Sequence, residues 1–272
     1  MKRALAFAAC CWLSLSAPSA RAGEPFALPL SGEAAETFLK NAKVVKRKPI
    51  AVGVTHSTLL TLNDGTRTAR GIFKIIDESL PGITNFEGGG FVMDFADSWR
   101  HEVAAYELDK LLGTGLVPPT VERTIEHSRG SLQLWVEKAM TEADRIERRI
   151  KPPDPEAWNR QMFGVRLLHE LTYNTDARNI RNVIIDPAFH IYAVDSSRAF
   201  AVYDQLRSAY DLQRFSRSAL EKLRALDRPT LDARLGPWLG NRQSAALLKR
   251  RDRILAIAEK LAAERGEEKV LF

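Results

Sequence analysis

The chain has 272 residues, with 40 basic and 34 acidic side chains, a formal net charge of +6 and two cysteines. So mild an excess of positive charge, spread along the chain rather than clustered, excludes the basic groove needed to track a nucleic-acid backbone. The length suits one large domain or two lobes sharing a cleft, and no internal repeat or low-complexity tract interrupts it.

Lys2 and Arg3, the apolar stretch from Ala4 to Leu15 and the small-x-small triplet Ala20-Arg21-Ala22 have the anatomy of a cleavable secretory signal peptide. That stretch is too short to anchor the chain in a bilayer. Cleavage after Ala22 would remove residues 1–22, with Cys10 and Cys11, so that no disulfide or thiolate metal site is possible in the mature protein. Lys2, Arg3 and Arg21 leave with it, so 37 basic face 34 acidic side chains, a net +3. No later segment is apolar enough to cross a membrane. The expectation is an exported soluble protein, periplasmic or extracellular.

After a Pro-containing mature terminus, residues 33–42 read as a short helix and the basic run Lys43 to Lys48 as a solvated face. Two strands follow, residues 57–62 and 70–76, joined through Asn63-Asp64-Gly65, a hairpin signal. The stretch from Pro81 to Gly90 is rich in turn residues. Asp97 or Ser98 then caps a helix over residues 99–112, stopped by Gly113, with a buried stripe through Val103, Tyr106 or Glu107, and Leu111 and with Glu102 beside it. Residues 131–136 read as a strand, Pro152 to Pro155 as a lobe boundary, and residues 156–173 as a long amphipathic helix ending in the polar cluster Asn174-Thr175-Asp176. Residues 182–186 and 191–194 are short apolar strands around a turn, the second delivering Asp195. Helices near 216–226 and 243–265 complete the pattern, the last with a charged outer face.

A Lys on a strand, a Glu on the following helix, then Asp and Asn ahead of a hairpin that ends in another Asp is the order of parts in kinase-type phosphoryl transfer. Each type has a task. The Lys74 ammonium would neutralise phosphate charge while Glu102 keeps its flexible stem aimed. Asp176 would orient an attacking hydroxyl, and Asn182 and Asp195 would offer oxygen ligands to magnesium. Glu107 competes with Glu102, and either could be a solvated helix charge. Gly53-Val54-Thr55-His56-Ser57 offers one glycine and several hydroxyls for a phosphate loop. The five histidines lack metal-ligand spacing, Asp186 before Pro187 reads as a turn residue, and Arg198 is expected to pair with a carboxylate near the site.

The stretch Tyr173-Asn174-Thr175-Asp176 through Arg178-Asn179 to Asn182-Val183-Ile184-Ile185-Asp186, followed by Val194-Asp195-Ser196-Ser197-Arg198-Ala199-Phe200, resembles the catalytic and metal-binding segments of the atypical kinase-like superfamily. That group includes the phosphatidylinositol kinases, the HipA-type kinases and the secretory-pathway protein kinases. The segments from Glu102 to Leu108, Leu111 to Gly113 and Val117 to Val121 are similar to its regulatory-helix region. The resemblance, over residues 50 to 265, implies an α+β two-lobed fold with an antiparallel-sheet lobe at 23–150 and a helical catalytic lobe at 151–272. It also implies ATP with Mg2+, or Mn2+, as cofactors, and an inter-lobe hinge at Trp135, Val136, Glu137 and Lys138 that meets the adenine through the backbone. The implied activity is transfer of the γ-phosphoryl group to a hydroxyl of a protein, lipid or small molecule, by a bacterial secreted member. Asn182 stands six residues after Asp176 rather than five, with Ala177 intervening before Arg178-Asn179. Asn179 is therefore a second candidate ligand, and a non-catalytic pseudokinase that binds nucleotide or a partner is the alternative function.

Overall fold

The computed structural model describes residues 30–50, 57–85 and 91–272. The signal-peptide segment and the Gly53 to His56 stretch lie outside the described residues.

Helix α1 (Gly32–Asn41) buries Ala35, Phe38 and Leu39 and leads into strand β1 (Lys43–Pro49). The basic run is therefore an edge strand, and it keeps its charges in water, as edge strands do to discourage further pairing. β2 (Thr58–Asn63) and β3 (Thr68–Lys74) pair antiparallel through a turn in which the Asp64 carboxylate accepts the N–H groups of Thr66 and Arg67. The turn-rich stretch after Pro81 proves to be strand as far as Asn85. β4 (Asp77–Asn85) pairs with β5 (Phe91–Ser98) in a separate ribbon whose register shifts between Leu80 and Ile83, with Gly82 at φ 84° in the bulge.

Helix α2 (Trp99–Leu112) is capped by Ser98, whose hydroxyl accepts the Arg100 N–H, and is ended by Gly113 at φ 65°. β6 (Thr120–Ile125) and β7 (Ser128–Leu134) complete a five-stranded antiparallel sheet of order β1-β2-β3-β7-β6. Beyond residues 135–139, where the resemblance implied a hinge, β8 (Met140–Thr141) pairs with β9 (Val183–Ile185), itself paired with β10 (Ile191–Ala193), so pairing with the second half of the chain begins ahead of Pro152 to Pro155. The helical lobe holds α3 (Glu142–Glu147), α4 (Pro155–Thr172), α5 (Arg217–Ala225), α6 (Arg228–Leu235), α7 (Asn241–Arg265) and α8 (Glu267–Val270). Asp227 caps α6, with Pro229 in its first turn. Among the described residues no helix is long and apolar enough to cross a membrane.

Two cores result. One lies between α1 and the five-stranded sheet, from Phe38 and Leu39 to Leu60, Phe73 and Leu132. The other fills the helical lobe and takes in α2 through Ala104, Ala105, Leu108 and Leu112, so this helix is built into the lobe below it. The charged face expected of α7 has an exception. Arg250 is fully buried, donating from Nε to the Leu171 carbonyl at 2.8 Å and from Nη1 to those of Ala201, at 3.0 Å, and Tyr203.

Close packing of β3 on β7 leaves no space at Gly130, where a Cβ would strike the Lys74 carbonyl oxygen. Gly130→Ala is therefore expected to lower the unfolding free energy by about 1–3 kcal/mol in urea titrations, whereas Gly65→Ala, with open space around it, loses only what its positive φ costs.

Candidate active site

Lys74 closes β3, and its side chain turns inward, 6% exposed. Its ammonium donates to Glu102 Oε1 at 2.5 Å and to Asp195 Oδ1 at 2.7 Å. Glu102, in the first turn of α2, accepts the Ser196 N–H at 3.1 Å on its other oxygen. One buried charge thus ties the sheet, the helix and the segment after β10 to a common point. Burial opposes the charge on Lys74, but the two carboxylates outweigh it and raise the ammonium pKa. Burial pushes the Glu102 carboxyl up; at Asp195, which is half exposed, burial acts in the same direction, but the Lys74 ammonium and the Ser197 hydroxyl hold the group below its ordinary value. Lysine and Asp195 are therefore both charged at neutral pH.

Asp195 sits at φ 60°, a left-handed conformation that Asp tolerates better than most residues. Bonds on both sides fix it. Val194 N–H donates to the Asn182 carbonyl at 2.8 Å, and Ser98 N–H to that of Ser197 at 2.9 Å.

Asp176 is set by the end of α4. Tyr173 turns left-handed at φ 47°, Asn174 Oδ1 accepts the Asp176 N–H at 2.9 Å, and Thr175 N–H reaches the Arg198 carbonyl at 3.2 Å. Asp176 Oδ2 then accepts the side-chain amides of Asn182 at 2.8 Å and Asn179 at 3.2 Å. A 3₁₀ turn over Ile180–Asn182 takes up the extra residue between Asp176 and Asn182, and Asn179 caps it, its amide oxygen accepting the Arg181 N–H at 3.2 Å. The oxygen of Asn179 is thereby used locally.

Between the lobes lies a cavity of about 800 Å³. Ile72, Met140, Ile184 and Val194 supply apolar wall, while Lys74, Asp176, Asn182 and Asp195 line its polar part. Trp135, Val136 and Lys138 border it as well. Glu102 is buried behind the lysine, and the Glu137 side chain binds Arg70, whose Nε donates to it at 2.7 Å. The Trp135 N–H is already bonded to the Arg70 carbonyl at 2.9 Å. Glu107, the other candidate for the lysine partner, instead pairs with Lys110 at 2.6 Å and Arg234 at 2.7 Å.

Arg198 pairs with a carboxylate near the site, as expected, that of Asp97 on the ribbon strand β5, bound from Nε at 2.8 Å. Two other residues around the site escaped the sequence reading. His101 is buried beneath the Asp195 segment, its Nδ1 2.8 Å from the Ser197 carbonyl. Glu170 accepts the backbone N–H groups of Arg207, at 2.7 Å, and Ser208, fixing the chain beyond the site. Asp97 beside a helix cap was a visible signal; His101 and Glu170 find their partners only across 96 and about 38 residues of sequence.

No family profile matches the sequence, and no curated protein matches it. Solved structures do match in fold. A hydra structure described as Fam20 with sugar superposes with a TM-score of 0.64 at 16% identity, over 88% of this chain and 91% of its own. The Golgi casein kinase with Mn and ADP bound gives 0.60 at 15%, over 87% and 77%. The Helicobacter pylori proinflammatory kinase CtkA gives 0.50 at 10%, over 84% and 98%. At these identities the likeness establishes an atypical kinase-like α+β fold, with an antiparallel-sheet lobe above a helical one.

Removing one partner from a buried ion pair costs more than removing both. Lys74→Met should lose about 3–5 kcal/mol of stability, by leaving Glu102 buried and uncompensated, and Lys74→Met/Glu102→Met should recover much of that loss in the same denaturant titration. Burial also pushes the His101 imidazole below its ordinary 6.5. Because the folded state resists this protonation, the stability involved is whole above that value and is lost as pH falls through the lower folded one. A melting series across that acid range is expected to fall less steeply for His101→Asn than for the parent chain.

Proposed function

We propose that the chain is an exported ATP-dependent phosphotransferase, freed of residues 1–22 by cleavage after Ala22, that moves the γ-phosphoryl group to a hydroxyl of a protein, lipid or small-molecule acceptor. The observation that carries this reading is the convergence of Lys74, Asp176, Asn182 and Asp195 on one inter-lobe cavity, from positions up to 121 residues apart. The cavity has the division of labour a nucleotide needs, with apolar walls for a base and charged groups for phosphates. Among the neighbours in fold, the Golgi casein kinase holds Mn and ADP, which supports the same ligand class here.

In this reading the segment Trp135-Val136-Glu137-Lys138 borders the base. Lys74 binds phosphate oxygens, and Glu102 keeps the ammonium aimed when Asp195 turns to a cation. Asn182 suits a metal better than Asn179, because the Asn179 oxygen already accepts the Arg181 N–H, whereas Asn182 binds Asp176 through its nitrogen. Among the described residues no three His, Cys, Asp or Glu side chains gather to hold an ion. Asp195, Asn182 and phosphate oxygens therefore make up the hard-oxygen set that Mg2+, or Mn2+, prefers. When bound, the ion neutralises charge on the phosphates. Asp176 orients the acceptor hydroxyl and takes its proton as the new O–P bond forms and the bond to ADP breaks.

The second reading, a pseudokinase that binds nucleotide or a partner, rests on the extra residue between Asp176 and Asn182, which the 3₁₀ turn absorbs. Calorimetry and transfer assays on the mature chain separate the two. ATP with Mg2+ should bind the parent protein and Asp176→Ala alike, and Asp195→Ala weakly. Transfer, followed as labelled phosphate on the protein or an added acceptor, should fall about 10²- to 10⁴-fold in Asp176→Ala. Binding without any transfer would favour the pseudokinase, and no binding would remove both the enzyme and the nucleotide-binding form of the pseudokinase.

A further inference from the structure

Gln243 stands in the first turn of α7, where its Oε1 accepts the Gly240 N–H at 2.8 Å and closes the helix cap. That bond leaves the amide only one way round, with Nε2 facing His101 Nε2 at 2.9 Å. An amide nitrogen donates and cannot accept, so the facing ring nitrogen is the acceptor and the imidazole proton must sit on Nδ1. Nδ1 donates to the Ser197 carbonyl at 2.8 Å, the same oxygen that accepts the Ser98 N–H. Ser197 in turn places its hydroxyl 3.3 Å from Asp195 Oδ1. His101 is 3% exposed and packs its ring against Phe200, so water does not substitute for either bond.

We infer that Gln243 and His101 are positioning residues for Asp195. The cap of the C-terminal helix α7 fixes the histidine tautomer, and through Ser197 it holds Asp195 in its left-handed, cavity-facing conformation. The inference rests on the reading of Asp195 as a metal ligand for phosphoryl transfer. A chain of three side-chain bonds carries the constraint from a helix that contributes no side chain to the polar part of the cavity. Asparagine at position 101 retains a donor about where Nδ1 stands, whereas leucine retains the bulk and no donor.

The test compares His101→Leu, His101→Asn and Gln243→Leu with the parent chain. Transfer is measured as a function of Mg2+ at saturating ATP, and metal-free ATP binding by calorimetry in EDTA. His101→Leu and Gln243→Leu are expected to lower kcat and to raise the half-saturating Mg2+ concentration, each about tenfold, with metal-free ATP affinity within twofold of the parent and with His101→Asn close to the parent throughout. Equal loss in His101→Leu and His101→Asn, or parallel loss of metal-free ATP affinity, would overturn the inference and mark both residues as merely structural. Should the parent chain itself show no Mg2+-dependent transfer, the reading of the site fails, and the relay is decided by nitrogen-15 spectra of the imidazole with amide exchange at Ser196. Nδ1 protonation in the parent, with faster Ser196 exchange in Gln243→Leu, supports the relay. An Nε2-protonated ring in the parent, or unchanged exchange, refutes it.

Discussion

A single positive charge taken out of water is the constraint that organises this molecule. The Lys74 ammonium is buried between two carboxylates, one on a helix and one at the end of a hairpin, which together outweigh its desolvation. Three elements must therefore arrive together. The antiparallel sheet supplies the lysine on a strand whose backbone touches Gly130, α2 supplies Glu102, and β10 delivers Asp195 into an unusual backbone conformation secured by bonds on both sides. Such an arrangement is poor value as a source of stability, since apolar residues would fill the same space with less penalty. It makes sense as a pre-formed cation and anion pair waiting at the edge of a cavity.

Around that pair, the rest of the polar site is held by main chain more than by other side chains. The loop carrying Asp176 follows a left-handed helix end and leans on the Arg198 carbonyl; two amides meet on one carboxylate oxygen. Arg250 and Glu170, both buried, secure the carbonyls and N–H groups of the neighbouring loops. Loops that would be mobile on a bare scaffold are in this way given partners for their backbone groups, the condition for holding reacting groups within a fraction of an ångström.

Local signals were the legible part of the sequence. Ser98 and Gly113 bound α2 as their chemistry requires, the Asp-Gly turn marks the β2–β3 hairpin, and of the residues whose order was singled out Lys74, Asp176, Asn182 and Asp195 line one cavity, with Glu102 buried behind the lysine. What failed did so where tertiary context overrides local preference. Pro81 and Gly82 argue for a turn, yet a bulge accommodates them within a strand pair. Residues 135–139 carry no proline, so a hinge at Trp135 to Lys138 was suggested by the resemblance and not by local composition, and the pairing of β8 with β9 just beyond it spans more than forty residues. Arg250 lies in a segment of α7 rich in arginine, and nothing nearby distinguishes the one that turns inward. The pairing of Glu137 with Arg70 is likewise invisible without the sheet that brings them together.

The placement of α2 within the core of the helical lobe has a consequence for control. Ala104, Ala105, Leu108 and Leu112 are all nearly or wholly sealed from solvent, and Glu107 is clamped to Arg234 of α6. A toggle that disengaged Glu102 by swinging the helix outward would have to tear open a packed interior, at the expense that large cavities exact. The sheet lobe has a core of its own, but besides the strap at 135–139 it is tied to the helical lobe by the Lys74 ion pairs and by Trp238, whose Nε1 donates to Glu122 on β6. Tilting the sheet lobe while α2 stayed seated would part Lys74 from Glu102 and Asp195, so the buried charge resists that movement as the packed helix resists the other.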